Sequence, residues 1–378
     1  MRKILLTTLV SLYAIVGFAQ LKGDGYYRFQ NVGSERYLYV YDYRGSVSIG
    51  STSADLGAIQ LWKDFDKAIS DPASVVYVTS VGGNLYRFHA QGTNSYEIVG
   101  YDLKIAENSR LKGTYSAYQS KSGMTSYLCD ELASNRDVGI MGTNVPEGKP
   151  KYKYWYIHPV ETVNNYFGLT PEVTVGSDHY APFFAEFAAS YASEGLKTYY
   201  VKKVERGMAV IEEIQGNVIP AATPVIVKCA SMSPDQNKLD LKLSSPAKPQ
   251  GNQLKGVYFC NDIPGKHNNV TPYKPETMRM LGVSKDGKLV FKKADLKYVP
   301  ANKAYLTVPK DSPDEILVVT QKEFDDIVAA GISGVIADNM EDGNVYNMFG
   351  VVVGGGFGAL KNLPAGVYIF AGKKYIVK

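Results

Sequence analysis

Tyr27-Arg28-Phe29-Gln30-Asn31-Val32-Gly33-Ser34-Glu35-Arg36-Tyr37-Leu38-Tyr39-Val40 is the stretch that decides the fold, because the chain repeats its beginning. Tyr-Arg-Phe returns at Tyr86-Arg87-Phe88, an offset of 59, and the tyrosine ten residues later, Tyr37, returns as Tyr96 at the same offset. A weaker third copy runs from Tyr115 to Tyr118 and on to Ser126-Tyr127-Leu128, and Tyr154-Trp155-Tyr156-Ile157 closes the unit. Aromatic, alternating segments of this kind are strand material. Three copies predict a three-fold β architecture over residues 23–161.

Between the first two copies, Leu56, Ile59, Trp62, Phe65 and Ile69 recur at helical spacing and Pro72 stops the pattern. One inserted amphipathic helix is therefore expected over Ala54–Ile69. Without it, the repeat shrinks to about 43 residues, the length of a four-strand unit. The stretch Asn31 to Val40 resembles the N-x-x-S-x-x-Y-L-x-V signature of β-trefoils of the ricin-B or MIR type. That resemblance covers roughly 140 residues. Gln60-Leu61-Trp62 is similar to the lectin Q-x-W signature, but its place in the helical pattern assigns it to core packing.

The trefoil resemblance implies shallow polar pockets beside each repeat, with an acid or amide accepting sugar hydroxyls and an aromatic face stacking on the ring. Asn31, Tyr37, Tyr41 and Asp42 supply those types in the first copy, and Asn94, Tyr96, Tyr101 and Asp102 in the second, with Tyr-Asp recurring at an offset of 60. Tyr-Asp pairs also occur at the ends of ordinary hairpins, and a trefoil keeps its fold without binding sugar.

Residues 1–19 read as a secretory signal peptide. Arg2 and Lys3 precede an uncharged run from Ile4 to Phe18, and Gly17-Phe18-Ala19 before Gln20 is a small-x-small cleavage site. The apolar run is shorter than the ~20 residues a spanning helix needs, so no membrane anchor is expected after cleavage. Secretion, or the outer surface of a Gram-negative cell, follows as the expected location.

A second unit over residues 170–320 holds a gapless repeat, 207–228 on 287–308, at an offset of 80. Val210-Ile211 falls on Val290-Phe291, Ile219-Pro220-Ala221 on Val299-Pro300-Ala301, and Val225-Ile226 on Tyr305-Leu306. Proline at the entry of a strand needs no ladder donor, so each copy reads strand, turn, strand. A two-part antiparallel β-sandwich is expected. The pattern resembles a domain of exported multidomain proteins from Gram-negative anaerobes, for which no activity carries over. Residues 321–343 form a linker with helical leanings at its start. The last unit, 344–378, contains Leu363-Pro364-Ala365-Gly366-Val367-Tyr368 and a basic end, and resembles type IX secretion sorting domains; the other reading is a terminal hairpin. The resemblance implies the export machinery as a partner of 344–378.

Chemistry is sparse. Lys and Arg number 41 against 37 Asp and Glu, and no long run of one sign occurs, which argues against nucleic acid as a partner. The four histidines, His89, His158, His179 and His267, show no metal-ligand spacing, and no cofactor is expected. No nucleophile elbow or phosphate cradle is found, and Glu212 and Glu213 point to opposite faces of one strand. Cys129, Cys229 and Cys260 cannot all pair; Cys229 and Cys260 form either a disulfide or two buried thiols. The expectation is a mostly β, non-catalytic exported protein that binds glycan through the trefoil. The alternatives are an adhesion or structural protein whose trefoil binds protein or no ligand, and a hydrolase drawing its acid and base from separate domains.

Overall fold

The computed structural model describes residues 21, 23–49, 52–62, 65–92, 97–99, 102–130, 139–142, 145, 147–261, 269–329, 343–370 and 372–377, with side chains left aside at 42–66 and a few other positions. The leader 1–19, its cleavage site Ala19-Gln20, the residues Asn94, Tyr96 and Tyr101, His267, and most of the expected linker lie outside the described residues. The fold is mostly β: 28 strands and two α-helices among those residues.

The first unit contains β1 (Gly25–Asn31), β2 (Tyr37–Ile49), β3 (Thr52–Trp62), β4 (Val76–Gly82), β5 (Leu85–Ala90), β6 (Leu103–Glu107), β7 (Tyr115–Lys121), β8 (Met124–Asp130), β9 (Gly139–Gly142) and β10 (Trp155–Pro159). Six of these close a ring, β1 to β4, β5, β6, β7, β10 and back to β1, every pairing antiparallel. The hairpins β2–β3 and β8–β9 extend from β1 and β7. Phe29 on β1, Phe88 on β5 and Ala117 on β7 fill the ring's interior, and the first two rings meet at 5.1 Å. The Tyr-Arg-Phe echo thus marks equivalent strands of the ring, with alternation sending phenylalanine inward. Trp155 on β10 completes the core and donates its indole N–H to the Leu128 carbonyl at 2.8 Å.

The helix expected over Ala54–Ile69 is not formed. Thr52–Trp62 pairs with β2 from Tyr37 opposite Trp62 to Ile49 opposite Thr52, and the helix α1 covers only Phe65–Ser70. A ready partner strand satisfies the backbone along its whole length, and that long-range pairing overrides a local helical spacing of apolar residues.

The second unit contains β11 (Phe167–Gly168), β12 (Val173–Val175), β13 (Asp178–Phe183), β14 (Ala188–Tyr191), β15 (Lys197–Glu205), β16 (Met208–Glu213), β17 (Val218–Ile219), β18 (Val225–Cys229), β19 (Lys238–Lys242), β20 (Leu254–Val257), β21 (Met278–Val283), β22 (Leu289–Lys292), β23 (Lys303–Thr307) and β24 (Glu315–Thr320). A ten-stranded sheet runs β12-β13-β18-β15-β16-β24-β22-β21-β23-β20, and a four-stranded sheet β11-β19-β14-β17 packs on part of it. The order is nearly mirrored about β24: β13-β18-β15-β16 on one side, β20-β23-β21-β22 on the other. The sequence repeat extends to backbone conformation, since Gly207 (φ 72) matches Gly287 (φ 74) and Ala222 (φ 49) matches Asn302 (φ 56). Left-handed residues are needed where each copy turns into its second strand, and the turn amide donates to a neighbouring carbonyl both times, Ala222 to Ala185 in the loop after β13 and Asn302 to Val257 at the end of β20.

Helix α2 (Gln321–Ala329) follows β24 through a capping box, in which the Thr320 N–H and hydroxyl donate to Glu323 while the Glu323 N–H donates back to the Thr320 Oγ1. It lays Phe324 on Met208, Val210 and Val290. The last unit, β25 (Asn344–Asn347), β26 (Val352–Gly355), β27 (Gly366–Phe370) and β28 (Lys373–Val377), is a four-stranded antiparallel sheet rather than a lone hairpin. Val345, Leu360, Tyr368 and Phe370 form its small core.

The bridge between Cys229 and Cys260 is not made. Cys229 is a buried thiol whose S–H donates to the Val227 carbonyl at 3.8 Å, and burial pushes it up to about 12. Its strand, β18, and β20, which Cys260 follows, are not neighbours in the sheet.

The first two units share cores. Phe259, from the second unit by sequence, is buried among Phe29, Phe88 and Trp155, and Tyr26 and Tyr77 from the ring are buried among Phe167, Phe183 and Phe187. Between them, Gln91 (φ 63) accepts from the Glu186 N–H at 3.3 Å and from the Asn302 side chain at 3.1 Å, while Asn302 also donates to the Phe184 carbonyl at 3.0 Å.

Candidate functional site

The stretch Asn31 to Arg36 is spent on structure. Asn31 is fully buried; its Oδ1 accepts from the N–H groups of Gly33 (2.9 Å) and Ser34 (3.1 Å), and its Nδ2 donates to the Tyr152 carbonyl at 2.8 Å. A short polar side chain bonding its own backbone two and three residues on is a turn former, and no polar atom of Asn31 is left to meet a ligand. Arg36 is buried against Asp130 at the end of β8, with contacts of 3.0 and 2.5 Å. Tyr37 is half-buried on β2, and its hydroxyl is held above its usual range by burial, against the pull of Arg28. Tyr41 is half-buried and edge-on to Tyr39 at 6.2 Å. Asp42 follows a bulge in β2 and pairs with Ala58; its side chain lies outside the described residues.

The two copies of Tyr-Arg-Phe part company at the arginine. Arg28 is 0 % exposed. Its guanidinium donates to the Ser74 hydroxyl (3.0 Å), the Asn165 Oδ1 (2.9 Å), and the carbonyls of Tyr166 (2.8 Å) and Ile69 (3.3 Å). Burial pulls it well below its ordinary value, with Tyr37, Tyr166 and Asp71 opposing. Arg28 ties the ring to the segment that leads into the second unit.

Arg87, at the equivalent place on β5, faces outward with its side chain 41 % exposed. Its Nε and Nη2 both reach the Asp102 Oδ1, at 2.9 and 2.8 Å, and the Glu97 Oε1 lies 3.8 Å from its Nε. Glu97 is placed by a bridge to His89 on β5, and Asp102 stands immediately before β6. Burial raises the Glu97 carboxyl, Arg87 lowers it and Asp102 raises it further. The outcome is a half-exposed cluster with a guanidinium fork and two carboxylates on one rim of the ring. Donors and acceptors alternate there, the arrangement that vicinal hydroxyls require. Sequence reasoning named Asp102 but not Arg87 or Glu97; for Arg87 the echo held the signal, because strand alternation sends the arginine to the face opposite the inward phenylalanine, whereas nothing in the echo points to Glu97.

Elsewhere, His158 is half-buried and stacked on Tyr156 at 5.7 Å, and the half-buried His179 has its Nδ1 3.0 Å from the Thr174 hydroxyl. Among the described residues, no three His, Cys, Asp or Glu side chains gather as a metal site would need, and no helix is long and apolar enough to cross a membrane. Glu212 and Glu213 pair with Tyr200 and Tyr199 and so face opposite sides of the sheet. Compared with known proteins, the chain matches no family model, no curated protein and no solved structure.

Proposed function

We propose that this is a non-catalytic exported protein, secreted or held at the outer surface of a Gram-negative cell, whose first unit is a ricin-B-like β-trefoil that binds glycan. The observation that carries the reading is the Arg87–Glu97–Asp102 cluster on the second repeat. It differs from its buried first-repeat counterpart in being open to solvent, which fold stability does not require. The closed six-stranded ring with hairpins off two of its strands, and the recurrence of Phe29, Phe88 and Ala117 in its core, support the trefoil assignment. The two sheets around Phe167, Phe183 and Phe187 fit a sandwich-like spacer.

The test is glycan-array binding by the full chain beside an Asp102→Asn variant. Saturable binding that the variant loses supports this function, and no binding to any glycan overturns it.

A protein-facing reading has its own observation. The turn between β25 and β26, with the first residue of β26, exposes Met348, Phe349 (89 %), Val351 and Val352, an apolar tip on the last sheet. Single exposed apolar residues are ordinary, but contiguous ones mark contact surfaces. Export machinery is the partner proposed for residues 344–378 on this reading. An extracellular protein ligand for the ring remains the competing proposal if no glycan binds.

A further inference from the structure

Large apolar side chains left in water are concentrated at one end of this protein. Five of the twelve exposed ones among the described residues, Met348, Phe349, Val351, Val352 and Ile376, belong to the last unit, which supplies under a tenth of the sequence. Strand register extends this patch. Val352 stands opposite Tyr346, Tyr346 opposite Ile369 and Ile369 opposite Lys374, so one row crosses all four strands on the face turned away from Val345, Tyr368 and Phe370. Val367 and Ile376 pair in the next row toward the tip. The unit therefore has a packed side, and an open side that is apolar and ends in a lysine. Its sequence includes Lys361, Lys373, Lys374 and Lys378 and no aspartate or glutamate. A partner suited to that face is apolar, with acidic groups at its edge.

The same chain carries such a surface. The ten-stranded sheet curls until β12 approaches β21 and β13 approaches β23, which puts Phe291 and Leu306 on the inside of the curl. At one end the curl opens into a cavity of about 640 Å³, whose floor includes Tyr180, Tyr199, Ile211, Leu289 and Val318, all half-buried. Helix α2 and the turn before β22 form its lip, where Glu323, Asp326 and Lys288 are exposed. Lys228 is spent on Asp178 at 2.7 Å, and the Tyr180 hydroxyl donates to the same carboxylate at 3.4 Å. One lysine then faces two carboxylates at the lip, above a floor that is mainly hydrocarbon. Small polar ligands are fixed by converging polar groups, of which this floor has few; apolar side chains with a lysine beside them suit both floor and lip.

We infer that the tip and open face of the last sheet in one copy of this protein dock in the mouth of the curled sheet of a second copy, with Phe349 on the apolar floor and Lys374 toward Glu323 and Asp326. The contact is heterologous, since the two surfaces lie in different units, so it propagates from copy to copy unless the rotation closes a ring. It rests on neither the glycan reading nor an export role for residues 344–378.

The experiment is sedimentation velocity on the full chain over a concentration series into the hundreds of micromolar. Wild-type sedimentation rises with concentration. Phe349→Asp, at a position already 89 % exposed, keeps the fold and weakens association about thirtyfold or more, and Leu289→Arg on the floor does the same. Mixing these two variants is the discriminating step, because one retains the mouth and the other the tip: the mixture forms a heterodimer and stops there. Asp326→Arg, exposed on α2, weakens association about fivefold and serves if Leu289→Arg fails to fold by circular dichroism. Three results would overturn the proposal: a wild-type chain that stays monomeric throughout, its tip left for a different partner or for its own mouth; association unchanged by Phe349→Asp or Asp326→Arg; or a mixture of folded Phe349→Asp and Leu289→Arg chains that stays monomeric.

Discussion

Arg28 and Arg87 occupy one position of a sequence echo and live in opposite environments, which makes them a controlled pair. Removing Arg28 leaves the Ser74 hydroxyl, the Asn165 side-chain amide and the carbonyls of Ile69, Asn165 and Tyr166 without their donor inside the protein. Arg28→Ala is expected to cost about 3–5 kcal/mol in denaturant unfolding, the range for stripping a buried charged network. Arg87→Ala removes only a half-exposed ion pair and should change stability by about 0.2–1 kcal/mol while removing glycan binding. His158 supplies a pH signature. Burial holds its imidazole below the ordinary 6.5, with Glu161 opposing. As pH falls through 6.5 the unfolded chain takes up a proton that the folded chain refuses, so folding stability declines from 6.5 down to the folded value. Thermal melts across that window should show a shallower decline for His158→Gln than for the wild-type protein.

At the scale of elements, the sequence was most readable where a local device and a tertiary role coincide. The strand echo, the offset-80 repeat and the helical leaning at the start of residues 321–343 were visible as residues before they were visible as structure, whereas the Thr320–Glu323 box emerged only with the fold. The hairpin β2–β3 was hidden because Leu56, Ile59 and Trp62 have helical spacing, and their strand state depends on a partner many residues earlier. The Asn31 signature was legible as a strand-loop-strand, but whether its amide served a ligand or a turn depended on Tyr152, which no local pattern announces. In the candidate site, Asp102 was legible, whereas Glu97 was placed by a bridge to His89 that spacing does not encode. Asn302 was hidden in the same way, since its role depends on Gln91 in another unit. Close approach of elements gives a further test: a Cβ on Gly168 would lie 2.1 Å from the Pro234 carbonyl oxygen, so backbone must move. Gly168→Ala should lower stability by about 1–3 kcal/mol, read as a drop in denaturation midpoint at unchanged slope.

At the scale of the molecule, the ring and the second unit behave as one body because each completes the other's core. Phe259 fills the ring although it comes from the second unit, and Tyr26 and Tyr77 do the reverse. Phe259→Ala is therefore expected to cost about 3–5 kcal/mol and to lower the melting of both units together in calorimetry. Independent melting of the ring would contradict that picture. The measurement that tests the central claim most directly is a calorimetric titration of the best array glycan into the full chain and into the Arg87→Ala, Asp102→Asn double variant, with circular dichroism showing both folded. The account predicts saturable binding by the wild-type chain and a loss of at least about tenfold in the variant. Equal affinity in the two, or no heat with any glycan, would contradict it.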